Sequence, residues 1–447
     1  MSRLRRGLTR RRFTNSLAAL AAGVPAWVAG RESAAAPPSR SRLSRLRIAA
    51  IGVGNRGETN LLSVAQEEVV AMCDVDRRYL EERVERFPKA RRYSDYREML
   101  AQEKDLDAVV ISSPDHTHAH AARLAIQRGL HVYCEKPLVH RFDELAPLIN
   151  AAGRAGVVTR AGNQHHASDG YRAAAAWLDS GRLGDISAAY AWTDRPFWPQ
   201  GELPDKDGPL DGKPPAHLAW DLWLGPASPR PYRDGYHPMN WRGYWDFGSG
   251  ALGDRGPHLL DPLFTGLKLG DVLEIRPTSS PLVKEMAPTW SVIEFLVARP
   301  NPAPPLALTW YDGEKQPSRE VTGIQRLPPN GCLVIGSEAK LFIPELGGTP
   351  RVLPNAGRSA PSPPMLDEAP ALPHIEQWVV DCKKGASKDR SFADAAALTK
   401  LALLGNAALR AGHALRWDAD AQRVLGDSAI LPYLQSRYRD GWALPAE

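Results

Sequence analysis

Three closely spaced glycines constrain this chain more than any other feature. Gly52-Val53-Gly54-Asn55-Arg56-Gly57 directly follows the apolar run Arg47–Ile51 and opens a helical pattern. Each glycine has a physical reason. Gly52 makes the tight turn, Gly54 lets backbone approach a pyrophosphate, and Gly57 allows close helix–strand packing. Phosphates would then rest on free amides at the positive end of the helix. Asn55 and Arg56, inside the turn, count with the glycines as cofactor-binding. A second apolar run ends at Cys73-Asp74, so Asp74 lies 22 residues after Gly52. At that distance a carboxylate can accept from a ribose 2′-hydroxyl. A 2′-phosphate would be repelled there, so the cofactor expected is NAD, with NADP less favoured; Arg77 and Arg78 stand close enough to leave some room for it.

Further apolar runs at Ala108–Ile111, His131–Cys134 and Val157–Arg160 alternate with helical patterns at Arg77–Phe87, His118–Arg128 and Phe142–Ala155. Strand–helix alternation of this kind gives a parallel sheet with helices on both faces. Residues 46–163 therefore read as a doubly wound Rossmann domain. The rhythm then changes. A helix at Gly170–Ser180 leads to a strand at Ile186–Thr193, then to a Pro/Gly/Trp-rich insertion reaching about Gly253. A helix is expected from Pro257, and strands at Val292–Val297, Leu306–Trp310, Cys332–Ile335 and Lys340–Ile343. Helical stretches at Ile375–Lys384 and Ala393–Ala411 follow. Residues 164–447 read as an α+β substrate domain with a mostly antiparallel sheet.

The formal charge of +5 is misleading. Residues 1–45 hold ten arginines and one acid, a formal +9, which leaves −4 for residues 46–447. The basic balance thus argues for no nucleic-acid partner. It belongs to a leader: Thr9-Arg10-Arg11-Arg12-Phe13 fits a twin-arginine pattern, followed by an apolar stretch from Ser16 to Ala29. Ser33 and Ala35 suit cleavage after Ala35. Residues 1–35 are read as a signal peptide that engages the twin-arginine export machinery, and 36–45 as a linker; the protein is expected in the periplasm or otherwise exported. The apolar stretch is too short for stable membrane insertion. Cys73, Cys134, Cys332 and Cys382 form no C-x-x-C pair. His116, His118 and His120 alternate, but on a helix such residues point about 200° apart and cannot share one ion, so no metal is expected.

Glu135-Lys136-Pro137 stands at the next strand end. Together with the glycine turn and Ser113-Pro114-Asp115-x-x-His118 it resembles the Gfo/Idh/MocA oxidoreductases, typified by glucose–fructose oxidoreductase and inositol dehydrogenase. The resemblance continues through Gly162-Asn163-Gln164, Trp220–Pro226, Trp241–Gly248 and Gly253–Asp261. It implies a substrate domain with a large open sheet, and raises a homo-oligomer built through that sheet. It also implies a catalytic set of Lys136, Asp254 and His258. Ser113, Pro114, Asp115, His118, Glu135, Lys136, Asn163 and Gln164 would line the cofactor. His165, Arg242, Tyr244 and Trp245 would meet the substrate. Arg255 and Pro257 depart from the family's commoner small or Met-like residues.

The residues themselves support that chemistry. Hydride leaves a carbon only as its hydroxyl proton is taken, so a base and a charge-stabilising partner must meet at one oxygen. Pro137 ends the strand just after Lys136, placing the ammonium at the sheet's C-terminal rim, where ligands of such folds bind. Gly256-Pro257 reads as a helix start, with Asp254 just before it and His258 in the first turn, kept neutral by the positive helix end. Six of the thirteen tryptophans fall within 192–245, and flat aromatic faces suit sugar rings. The expectation is an exported oxidoreductase with a tightly held dinucleotide, acting on a sugar, polyol or glycoside hydroxyl. A redox-neutral glycoside hydrolase or lyase is the alternative, and a non-catalytic sugar-binding protein a further one; retention of Lys136 favours the oxidoreductase.

Overall fold

The computed structural model describes residues 44–201, 212–365, 372–386, 391–426 and 428–444. The leader read from residues 1–35 lies outside them. Six strands make the first sheet: β1 (Arg47–Ile51), β2 (Glu68–Cys73), β3 (Arg91–Tyr93), β4 (Ala108–Ile111), β5 (His131–Glu135) and β6 (Thr159–Gly162). Their order is β3-β2-β1-β4-β5-β6 and all pairings are parallel. This is the doubly wound order that places a ligand crevice where the strand order reverses, between β1 and β4. β4 is buried at every position and β1 at all but Arg47, because helices cover both faces. That is why these strands are continuous apolar runs rather than alternating ones.

The second sheet has nine strands: β7 (Ile186–Trp192), β8 (Val272–Ser279), β9 (Ser291–Val297), β10 (Leu306–Tyr311), β11 (Gly331–Gly336), β12 (Ala339–Pro344), β13 (Arg351–Pro354), β14 (Leu415–Asp418) and β15 (Arg423–Val424). The order is β13-β12-β11-β7-β10-β9-β8-β14-β15, and only β7–β10 is parallel. Along β9, Ile293, Phe295 and Val297 point into the core with Leu259, Leu263 and Leu401 from the covering helices. The alternate residues Val292, Glu294 and Leu296 face the other way, in the two-residue period of a sheet covered on one face.

Several elements escaped the sequence reading. β3 and the helix Tyr96–Gln102 complete the first sheet's edge, and β8, β13, β14 and β15 extend the second. The helix Arg77–Arg83 stops four residues before Phe87, with Asp76 capping its start by accepting from Arg78 N. The helix expected from Pro257 begins at Gly250 and runs to Gly266, so Asp254 and His258 lie inside it. Pro257 gives no N–H to the carbonyl four residues back, yet the helix continues because fifteen of its seventeen residues are buried.

The chain also returns to its first domain. In the helix His374–Lys384, Ile375, Trp378, Val379 and Cys382 share one apolar cluster with Leu46, Ile48 and Val110. Asp381 meets Arg160 of β6 at 2.6 Å, with both side chains buried. All four cysteines are buried free thiols. Among the described residues no helix is long and apolar enough to cross a membrane.

Candidate active site

The turn after β1 has the shape its glycines suggested. Gly52 sits at φ 76° with its amide bonded to the Cys73 carbonyl at 2.8 Å. A Cβ on Gly57 would lie 2.0 Å from the Gly52 carbonyl oxygen, and one on Gly52 2.8 Å from the Ser112 backbone. At Gly54 the space a Cβ would take is filled by the Tyr79 ring. The turn opens on a cavity of about 390 Å³ that both domains line. Gly52, Gly54, Asn55, Arg56, Asp74, Ser113, Pro114, Asp115, His118, Glu135 and Gln164 all reach it.

Asp74 accepts from Val53 N on one carboxylate oxygen and from Asp76 N on the other, both at 2.9 Å. The Gly54 amide also acts on this carboxylate, and acceptor capacity remains for a ribose hydroxyl. Burial raises this carboxyl to about 6, against the pull of those amides. Arg78 is occupied by Asp76 at 2.7 Å and Arg77 by Glu81 at 3.2 Å. A turn without side-chain bulk at its first and third positions, amides at a helix start and a two-acceptor carboxylate fit a dinucleotide. Gly52, Gly54, Asn55 and Arg56 would hold its pyrophosphate and Asp74 a ribose.

At the other end of the cavity stands a buried polar set. Glu135 accepts from Asn60 Nδ2 at 2.7 Å and from Gln164 Nε2 at 2.5 Å, and burial raises its carboxyl. Lys136 donates to the Asp254 carboxylate at 2.9 Å and to its main-chain carbonyl at 2.6 Å. Burial alone would raise Asp254, but Lys136 and Arg242 hold it down at about 2. His258 also lines the cavity. Asn163 Nδ2 donates to the Pro257 carbonyl at 2.7 Å, so its Oδ1 accepts from His258 Nδ1–H at 2.7 Å. The imidazole is thereby fixed with Nε2 as the free acceptor. Burial first, then Lys136 and Arg255, push its pKa well below the ordinary value. The neutral ring was expected from a helix end; with His258 mid-helix, burial and neighbouring cations do it instead.

The remaining expected residues scatter. Asn163 does not line the cavity; it acts on His258. His165 lies one layer back, its ring 5.1 Å from that of His258. Arg242 lines the cavity over the Trp241 ring at 4.4 Å and 3.7 Å from Asp254. Tyr244 and Trp245 do not. Tyr244 is buried against Tyr236 at 4.6 Å, inside a cluster of insertion aromatics, and Trp245 lies under Arg410. The motif that brought them to notice is a packing motif at these two positions. His116 and His118 each have both ring nitrogens against backbone carbonyls, while His120 bonds the Tyr96 hydroxyl. Their three rings go to separate partners.

Sequence reasoning missed the wall on the dinucleotide side. His237 bonds the buried Asp76 carboxylate at 2.9 Å. Arg77 N donates to the His217 carbonyl and Ala219 N to the Val75 carbonyl, both at 2.9 Å. The insertion is stitched to the end of β2 and contributes Trp223, His237, Met239 and Trp241 to the cavity. Asn60 was also missed; its signal was a polar side chain one helical turn after Gly57, on the face turned to the sheet.

The geometry defines an oxidoreductase-type pair of domains, a dinucleotide-binding one and an α/β partner that supplies the second side of the cavity. Comparison with known proteins gives the family. Residues 46–163 match the profile of an oxidoreductase family NAD-binding Rossmann fold, and 205–279 that family's C-terminal alpha/beta domain. Both matches are to the Gfo/Idh/MocA oxidoreductases, one to each of that family's two domains. An uncharacterised oxidoreductase of Rhizobium meliloti, ORF334, is 39% identical over 97 residues, 22% of this chain and 29% of that protein. Inositol 2-dehydrogenase of Salmonella typhimurium is 28% identical over 145 residues, 31% of this chain and 43% of the enzyme. The matches span less than half the length of these curated relatives. The WlbA dehydrogenase of Bordetella pertussis, solved with NADH and UDP-GlcNAcA, superimposes with a TM-score of 0.59 at 18% identity. That match covers 84% of this chain and 99% of the other, a likeness of fold.

Proposed function

We propose that the chain is an exported NAD-dependent oxidoreductase acting on a sugar, polyol or glycoside hydroxyl, with Lys136, Asp254 and His258 at the reacting oxygen. The observation that carries this reading is the pairing of a neutral, tautomer-fixed His258 with the Lys136–Asp254 ion pair in the dinucleotide cavity. A dinucleotide held by the glycine turn and Asp74 would supply the hydride acceptor or donor. His258 Nε2 takes the hydroxyl proton as the hydride leaves, and the Lys136 ammonium stabilises charge on that oxygen. Asp254 aims the ammonium. Arg242 and Trp241 offer donors and a flat face to the rest of the substrate. The polyol and sugar-nucleotide relatives point to the same substrate class.

Export through the twin-arginine route rests on the leader sequence, and with it a periplasmic site of action. That route carries folded proteins, so the dinucleotide would be loaded before export. The stitched insertion beside the cavity supports slow release of the cofactor. Self-association through the face of the nine-stranded sheet that carries the half-exposed Tyr190 and Leu296 is part of the same proposal. The test is incubation of purified protein with a panel of sugars, polyols and glycosides, following products and cofactor state together. Net oxidation gives a keto sugar or lactone with a reduced cofactor. Aglycone release with no net cofactor change would instead establish the redox-neutral route.

A further inference from the structure

A second cavity, of about 270 Å³, shares no lining residue with the dinucleotide cleft. It lies where the start of the helix Phe142–Ala155, the end of the helix Ala396–Ala411 and the segment 432–438 meet. A neighbouring cavity of about 360 Å³ shares Arg410, Tyr433 and Asp246 with it. Arg410 is the cation at the junction. Its guanidinium lies 4.5 Å from the Tyr433 ring centre and 5.5 Å from that of Trp245. Among the described residues it makes no hydrogen bond or ion pair.

The carboxylates in the wall do not supply what is missing. Asp246 is held by Arg230 and approached by Arg141 at 3.7 Å. Glu144 accepts from the amides of His140 and Arg141 and from the Tyr438 hydroxyl. Arg141 and Arg437 add further positive charge to the cavity. Burial and then Arg141 pull Arg410 down to about 10 although Asp246 acts the other way, so that shared carboxylate offsets only part of the cost of the buried cation. A half-buried guanidinium that lines a cavity can be completed by an anion, and its planar fork suits carboxylate or phosphate oxygens. The aromatic flank and the volume exceed what a bare ion needs.

We propose that Arg410 and Arg141 form a second binding site for an anionic ligand of sugar size, whose phosphate or carboxylate they hold while Tyr433 meets its carbon face. The test uses the full protein saturated with NAD, so that the glycine turn is filled, titrated calorimetrically with glucose 6-phosphate, glucuronate and glucose. Saturable binding of at least one of the two anions is expected, tighter than any binding of glucose; whichever binds tighter identifies the anionic group. Arg410→Gln should weaken that binding by about tenfold or more, as loss of one charge-assisted pair does, with NAD affinity unchanged. Arg410→Lys, which keeps the charge but not the fork, should fall between the two. Absence of saturable binding by either anion, or binding unaffected by Arg410→Gln, would overturn the proposal.

Discussion

Asp74 should make NAD affinity depend on pH in a way that one substitution removes. Its carboxyl titrates at about 6 in the free protein because burial opposes the charge. Val53 N and Asp76 N each take one lone pair and the Gly54 amide also lowers the carboxyl, leaving acceptor capacity for a ribose hydroxyl. Hydrogen bonds to an ionised acceptor contribute about 1.5–3 kcal/mol, so the bound dinucleotide favours the ionised form by roughly ten- to a hundredfold. The sign follows: binding lowers the carboxyl's pKa, so affinity rises as pH climbs through 6 and levels off above it. At lower pH, binding must expel a proton and weakens. Asp74→Asn should abolish this difference and weaken NAD binding near neutrality by about ten- to a hundredfold. It should also destabilise the turn by about 1–3 kcal/mol, since the amide can accept from only one of the two backbone donors with its single oxygen. The assay is NAD titration by intrinsic fluorescence across the acid-to-neutral range, wild type against variant. Equal pH profiles in the two proteins, or tighter NADP than NAD binding in the wild type, would exclude Asp74 as the ribose acceptor.

Lys136→Met and His258→Ala should each lower turnover about a hundredfold or more while leaving NAD affinity nearly intact, measured by steady-state kinetics beside cofactor titration. Asn163→Ala, which removes the acceptor for His258 Nδ1–H, should cost about tenfold in turnover and move the acid limb of the pH–rate profile to lower pH. An unmoved limb would make Asn163 merely structural. Asp381→Ala leaves Arg160 buried without its carboxylate and should destabilise folding by about 3–5 kcal/mol in chemical denaturation. Arg10→Lys with Arg11→Lys should retain the protein in the cytoplasm, read by cell fractionation, and normal export would exclude the twin-arginine route.

The first domain was legible because its signals are local. A glycine turn, a carboxylate at the end of β2 and buried parallel strands each leave a mark within a few residues. The helix Gly250–Gly266 was misplaced because Gly250, Gly253, Gly256, Pro257 and Pro262 argue against a helix that burial enforces. β3, three residues long and exposed at Arg91 and Arg92, carries no apolar signature. The return of Trp378 and Asp381 to the first domain joins residues 221 apart in the case of Arg160, and the His237–Asp76 stitch joins residues 161 apart. No window of sequence spans such pairs. Tyr244 and Trp245 misled for another reason. A family motif marks positions held for packing as well as for contact, and only three-dimensional placement separates Arg242, in the cleft, from its two neighbours behind it.

The proposed reaction passes a hydride between substrate and nicotinamide beside Lys136 and His258. The test is incubation of NAD-loaded protein with a substrate from the sugar panel deuterated at its carbinol carbon, followed by mass analysis of the recovered dinucleotide. Deuterium on the nicotinamide ring in the wild type, and almost none in Lys136→Met that still binds NAD, is the predicted result. Product formed while the deuterium stays in the sugar or goes to solvent would exclude hydride transfer to the nicotinamide.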